Sequence, residues 1–276
     1  MTMTMNLTQV PDSDPRRAGS VPEGAAGQTI IPTDASLPGS VGLRSVRVNP
    51  DALPADMIIT IDGPARTGKN TAGELVAEAI GGVLVDSGRF YRALTQAAVV
   101  AGINLDVPEA IVEFCQRARL EACLGRDGGL VEEALVTVTG TCFSKGELNQ
   151  IGAATPKLAN VPQVRVLVNA ALHGFRRAGR VVMLGRDIGA RVFPDTPFKF
   201  FLNAPQEVLE QRQIQTTGVP GVDQRLHADR RNTLLTAEAL EIDTSIHLPT
   251  AVCGMIVNEL WNRAQQRETP RAQEQK

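Results

Sequence analysis

Between residues 63 and 71 the chain reads Gly-Pro-Ala-Arg-Thr-Gly-Lys-Asn-Thr, with Lys69 directly after the second glycine. Glycines let backbone N–H groups turn inward around a phosphate, the lysine offers a flexible cation to a transferred phosphoryl group, and a helix starting there adds the positive end of its dipole. The spacing fits G-x-x-x-x-G-K, in which Ser or Thr normally follows the lysine to ligate magnesium; here Asn70 stands in that place and Thr71 comes one step later. Gly63, Pro64, Ala65, Arg66, Thr67, Gly68, Lys69, Asn70 and Thr71 are therefore the candidates for holding the phosphates of a nucleotide, with Thr71 the candidate Mg2+ ligand. A glycine-rich turn joining a strand to a helix is the plain alternative. The lysine at the one place a phosphate would want it decides against that.

A kinase for a small phosphorylated acceptor must hold two polyanions together, so its second site calls for arginines that can fork onto phosphate. Arg92 lies in Asp86-Ser87-Gly88-Arg89-Phe90-Tyr91-Arg92, just past an apolar run, and Arg186 and Asp187 follow a second run in the same way. A third group, Arg225, Asp229, Arg230 and Arg231, comes after the loop Thr217-Gly218-Val219-Pro220-Gly221 and has the makings of a lid that excludes water. Taken singly, each arginine is as well explained as a solvated surface charge. Joint placement at one sheet edge is what makes them site candidates.

The elements that must position these residues follow from periodicity. Met57 to Ile61 is a short β-rich run ending in the turn Asp62-Gly63-Pro64; a helix is expected from Thr71 to Ile80, stopped by Gly81-Gly82. A strand at Val83 to Val85, a helix from about Arg89 to Ala101, and a further helix opening at Asp106 with Glu109 in a capping box come next. Shorter β-like pieces around Gly125 to Gly129 read as an insertion off the main sheet. Helices are expected over Gly146 to Ala154, Gln163 to Arg177, Pro205 to Gln215 and Thr250 to Gln265. Strands are expected at Val181 to Leu184, at Phe198 to Leu202 and near Ile242. Strands apolar on both faces, alternating with helices, predict an α/β fold of the P-loop type: a doubly wound parallel sheet with an acceptor-binding insertion and a short lid.

The domain boundaries expected are a Pro-rich tail at 1–56, too poor in apolar periodicity to repay its ordering entropy, a core at 57–265 and a polar tail at 266–276. The insertion falls at about 115–160 and the lid at about 212–233. The net charge of -2, from 28 basic and 30 acidic side chains, gives no overall basic field for nucleic acid, and one Trp and one Tyr give no stacking platform. Four cysteines without a C-x-x-C pair and three scattered histidines suggest neither a zinc site nor a disulfide framework. No apolar run has the length of a membrane span. The expectation is a cytoplasmic monomer with no membrane or nucleic-acid partner.

From about Met57 to Arg263 the order of motifs resembles the bacterial cytidylate kinases, a family of P-loop nucleoside monophosphate kinases. Ile61-Asp62-Gly63-Pro64 leads into the phosphate loop, followed by Asp86-Ser87-Gly88 with Tyr91-Arg92-Ala93-Leu94, Val161-Pro162-Gln163-Val164-Arg165, Gly185-Arg186-Asp187-Ile188-Gly189 with Val192-Phe193-Pro194-Asp195, and Ile242-Asp243-Thr244. The resemblance implies phosphoryl transfer from ATP, with Mg2+, to CMP or dCMP. It also implies that Ser87, Arg92 and Arg186 hold the acceptor's ribose and phosphate, that Arg165 and Asp187 read the cytosine edge, and that Arg225 and Asp229 meet phosphate and sugar. Lys69, Arg186 and Arg230 or Arg231 would neutralise charge in flight. The chain departs from the family pattern at Leu184, where an acidic residue is usual, and at Asn232-Thr233, where a further arginine is usual. Two other readings stay open: a nucleotide-binding regulatory protein derived from such a kinase, and a P-loop kinase for another small acceptor.

Overall fold

The computed structural model describes residues 53–125, 131–217 and 233–268. Inside the sheet lies β1 (Met57–Asp62), six residues buried without exception, as a strand covered on both faces must be. β1 pairs in parallel with β6 (Arg180–Gly185) on one side and β7 (Phe198–Asn203) on the other. With β2 (Val83–Asp86), β3 (Leu120–Gly125), β4 (Glu133–Val138) and β8 (Leu240–Asp243) the sheet runs β3-β4-β2-β6-β1-β7-β8, and the short β5 (Thr141–Cys142) pairs with β4. Successive strand residues supply opposite layers. Ile58, Val181, Met183, Val83 and Val85 join one core, while Ile59, Ile61, Val182, Leu184 and Leu84 join the other.

The second layer is closed by α1 (Lys69–Ile80) and α8 (Pro249–Glu268), whose Val76, Ala77, Ile80, Val252, Ile256 and Leu260 are buried there. The first is closed by α2 (Ser87–Val100), α3 (Pro108–Arg117) and α6 (Pro162–His173), with α4 (Lys145–Gln150) and α5 (Thr155–Ala159) between α3 and α6 in sequence. Beyond β7 lies α7 (Gln206–Thr217). This is the doubly wound α/β sheet that the alternation predicts.

Several local expectations need correction. The helix after Ala101 is capped not at Asp106 but at Val107, without a side-chain cap, and Pro108 opens it because its missing N–H costs nothing in a first turn. The capping box sits instead at Ser144 and Glu147, which exchange side-chain and backbone hydrogen bonds at the start of α4. α2 begins at Ser87 because the Asp86 carboxylate caps it, accepting from the Gly88 N–H at 2.9 Å. The predicted helix over Gly146 to Ala154 is broken, α4 giving way to a 3-10 turn at Ile151–Ala153 before α5.

The larger correction concerns the β-rich insertion, which does not stand off the main sheet. β4 joins β2 in parallel through Leu84 and Glu133, so the antiparallel β3–β4 pair extends the sheet at its edge. The joint carries a buried ion pair between Arg89 and Glu133, whose side chains are only 6% and 5% exposed. Removing either partner of such a pair strands a charge out of water, so it fixes this joint against sliding.

At the opposite end of the strands, Arg180 donates to three carbonyls, those of Leu53 (3.0 Å), Pro54 (3.0 Å) and Ile80 (2.9 Å). Leu53 is itself buried. The chain is thereby pinned just before β1.

Candidate active site

Parallel strands deliver their carboxyl ends to one edge, where ligands of open α/β sheets bind. The register sets Asp62 level with Gly185 and Asp86 level with Leu184, so the loops after β1, β2 and β6 leave the sheet side by side.

After β1 the chain turns at Gly63, where φ is 151° and a Cβ would lie 2.2 Å from the Leu202 carbonyl oxygen; only glycine fits. Gly68, at φ 84°, ends the loop and α1 starts at Lys69, two residues earlier than periodicity suggested. Lys69 is buried, and its Nζ donates to the Gly63 and Pro64 carbonyls at 2.7 and 2.6 Å, while the Thr67 hydroxyl donates to the Pro64 carbonyl at 2.9 Å. The ammonium is thus folded back over its own loop. Outside the loop, Arg66 Nε donates to Gln213 of α7, and Arg212 donates to the Arg66 carbonyl at 3.1 Å and the Thr244 carbonyl at 2.7 Å. Asn70 and Thr71 are exposed in the first turn of α1.

The facing wall is made of ion pairs. Arg92 meets Asp86 at 2.7 Å, and the Arg92 Nε is buried without a hydrogen-bond partner. Burial alone would raise the Asp86 carboxyl, but Arg92, the Gly88 amide and Arg89 outweigh it and hold the group below its ordinary value. Ser87 is buried, its Oγ 3.0 Å from where a Gly185 Cβ would lie, which keeps the ends of β2 and β6 in close approach. Arg165, on α6, reaches Asp187 at 3.2 Å and the Ala159 carbonyl at 3.2 Å. Arg191 shares the same Asp187 oxygen at 3.2 Å. Tyr91 lies within reach of both charges: burial raises its hydroxyl pKa, Arg165 opposes that and Asp187 adds to it. Arg186 is half-buried, and its carbonyl accepts from the Leu234 N–H at 2.9 Å.

A phosphate loop and an arginine–carboxylate wall on one sheet edge therefore share the cleft. Residues 59–260 match the family model described as cytidylate kinase. The chain belongs to the cytidylate kinase family. Among its relatives, the cytidylate kinase of Methylococcus capsulatus is 36% identical over 169 residues, spanning 60% of this chain and 72% of its own. That of Stutzerimonas stutzeri is 34% identical over 223 residues, spanning 75% of this chain and 96% of its own. A gluconokinase structure from Sinorhizobium meliloti aligns over 78% of this chain and 97% of its own at 13% identity and a TM-score of 0.45, too distant to carry an argument.

As a cytidylate kinase family member, the chain has its acceptor-side candidates Ser87, Arg92, Arg165, Arg186 and Asp187 on the edge that carries Gly63 to Thr71. Arg225, Asp229, Arg230 and Arg231 lie outside the described residues. Leu184, where the family usually has an acid, is 1% exposed and packs against Gly73 of α1 and into the layer of Leu84 and Val76; a Cβ on Gly73 would come within 2.7 Å of it. Thr155 turns its hydroxyl back to the Ile151 carbonyl at 3.2 Å. Sequence reasoning passed over Arg191, which lies between two quoted motif segments, and over Arg212 and Gln213, half-buried on α7 with no motif around them. It also read Asp62 as part of a turn and of a family-like segment but gave it no role, although an acid ending an apolar strand at a ligand-binding edge is itself a signal.

Proposed function

We propose that this chain transfers the γ-phosphoryl group of ATP to CMP or dCMP, giving ADP and CDP or dCDP. The observation that carries the reading is the pairing of a phosphate loop folded around Lys69 with Arg165 on Asp187 at the neighbouring strand end. The loop amides and Lys69 hold the donor's phosphates, the ammonium exchanging its two carbonyl partners for phosphate oxygens. Arg92, with an unanswered buried Nε, and Arg186 take the acceptor's phosphate. Ser87 supports its ribose, and the Arg165–Asp187 pair reads its base, the carboxylate accepting from an exocyclic amino group. Arg225 and Asp229 meet phosphate and sugar from the lid, and Arg230 or Arg231 adds charge neutralisation. No strong base is needed, because the attacking group is already a phosphate oxygen; positioning and charge neutralisation supply the catalysis.

Mg2+ is part of this reading. Thr71 is exposed beside the phosphate loop and offers a hydroxyl, and no group of three or more His, Cys, Asp or Glu among the described residues makes a separate metal cage. Where a divalent ion accompanies the nucleotide, the Thr71 hydroxyl would help to hold it, and the ion would supply charge neutralisation for the transferred phosphoryl group. The reading takes the core at 57–265 as one kinase unit working as a monomer. All four cysteines are free thiols, which suits a reducing compartment such as the cytoplasm. No described helix is long and apolar enough to cross a membrane.

The test is ADP production from Mg·ATP with CMP, dCMP, UMP, AMP and GMP in parallel, with Lys69→Ala as control. Turnover with CMP or dCMP that vanishes in the variant supports the proposal. Preference for another monophosphate relocates the acceptor, and binding of ATP without turnover of any of them overturns the kinase reading.

A further inference from the structure

Asp62 ends β1 immediately before Gly63, and its buried side chain reaches the segment that follows β6. Its two carboxylate oxygens accept separately from backbone amides of a distant segment: Oδ1 from the Ile188 N–H at 2.9 Å and Oδ2 from the Gly189 N–H at 2.8 Å. Those amides open a π-helical turn, Ile188–Val192, that follows Arg186 and Asp187 directly. The contact is closely fitted. Asp62 is 4% exposed, and a Cβ on Gly189 would lie 2.7 Å from Thr60 Oγ1 and 3.4 Å from Asp62 Oδ2. Burial pushes the Asp62 carboxyl up to about 6, with the two amides and Lys69 acting against burial and Asp187 acting with it.

A buried carboxylate is an expensive way to tie two loops when a neutral side chain could make one such bond. What only the carboxylate provides is two acceptors side by side, matched to two adjacent N–H donors. We propose that Asp62 is a positioning residue for phosphoryl transfer, fixing the Arg186–Gly189 segment to the root of the phosphate loop so that acceptor and donor meet in register. This rests on the reading of Arg186 and Asp187 as acceptor ligands. Asp62 touches neither substrate, and its effect passes through the backbone of Ile188 and Gly189.

Asp62→Asn keeps the shape but presents an NH2 group to one of the two amides, so one bond is lost and two donors face each other. Gly189→Ala strains the same contact from the other side with Asp62 intact. In both variants the monophosphate KM is expected to rise about tenfold, the size expected for a lost hydrogen bond to a charged group. The kcat is expected to fall by up to about 100-fold through misplacement of the acceptor. ATP affinity, measured by direct titration of the full-length protein, is expected to stay unchanged. Hydrogen exchange at the Ile188 and Gly189 amides should quicken, without a matching change in β1.

Equal loss of ATP and monophosphate binding would make Asp62 a general structural residue and overturn the proposal. So would unchanged KM with unchanged exchange at residues 188 and 189. Should the wild-type protein turn over no monophosphate at all, the functional reading falls by itself, while the exchange measurement still decides whether Asp62 holds the 186–189 segment.

Discussion

The two walls of the cleft are built by different means. The phosphate loop is nine consecutive residues held by its own carbonyls, with Lys69 and Thr67 donating to Gly63 and Pro64 within the loop. The opposite wall draws Ser87 and Arg92 from α2, Arg165 from α6, and Arg186 and Asp187 from the end of β6, with Arg92 paired to Asp86 and Arg165 to Asp187. A local, backbone-built site has little freedom to drift. A wall of Arg–Asp pairs is adaptable, because Arg92 and Arg165 can each exchange a carboxylate for another partner by side-chain movement alone.

The sharpest way to break this comparison is Gly63→Ala. The added Cβ would meet the Leu202 carbonyl at 2.2 Å, and backbone contact leaves no flexible side chain to yield. Turnover is expected to fall by about 1,000-fold or more with ATP binding lost, since both ground-state and transition-state phosphate contacts depend on the loop. A variant with normal ATP affinity would show that the loop is less rigid than its geometry. Arg92→Ala should instead raise the monophosphate KM by about 100-fold, as loss of a charge-assisted contact does, and leave ATP affinity alone. Direct titration with each nucleotide reads both effects.

Arg165→Met is expected to change discrimination more than rate. The ratio of kcat/KM for CMP over UMP should fall about tenfold, because Asp187 loses a partner that fixes its orientation while the phosphate contacts persist. An unchanged ratio would move base reading away from Arg165.

The smallest expected effect is on stability. Asp62 titrates near 6 in the fold, above the ordinary 3.8, so the folded state holds a proton that the unfolded state releases across that window. Its contribution therefore favours folding at low pH and is lost as pH rises through about 6, a change of at most about 3 kcal/mol. Denaturant unfolding at pH 5 and pH 7.5 samples only the upper part of this window, so the wild-type protein should lose about 1.4 kcal/mol between them and Asp62→Asn should not. Asp86, held below its ordinary value, contributes with the opposite sign and only at more acid pH, so it leaves this window clear.

The same contrast explains what could be read from the chain. Gly63, Gly68 and Lys69 announce a phosphate loop because their roles depend on neighbours in sequence. The central strands were legible too, since burial on both faces demands unbroken apolar runs such as Met57 to Ile61 and Val181 to Leu184. Arg165 and Asp187 carried no local pattern that pairs them: Asp187 stood out by its place after an apolar run, and Arg165 only through the order of family motifs. The β3–β4 extension was misjudged because one bridge, Leu84 with Glu133, decides whether an insertion joins a sheet, and a single bridge leaves no periodicity. The capping box was misplaced because Asp106 and Glu109 have the right spacing, but Pro108 between them sets the first turn and Asp106 instead pairs with Lys157.

Arg180, which binds the Leu53 and Pro54 carbonyls, stands at the amino end of β6, a full strand away from the cleft. A six-residue strand at about 3.3 Å per residue puts roughly 20 Å between that anchor and the phosphate loop. An affinity tag, fluorophore or surface linker joined ahead of residue 53 would therefore hang from the base of the molecule. Immobilised in that way, the enzyme would present its open edge outward, as a sensor for nucleotides requires.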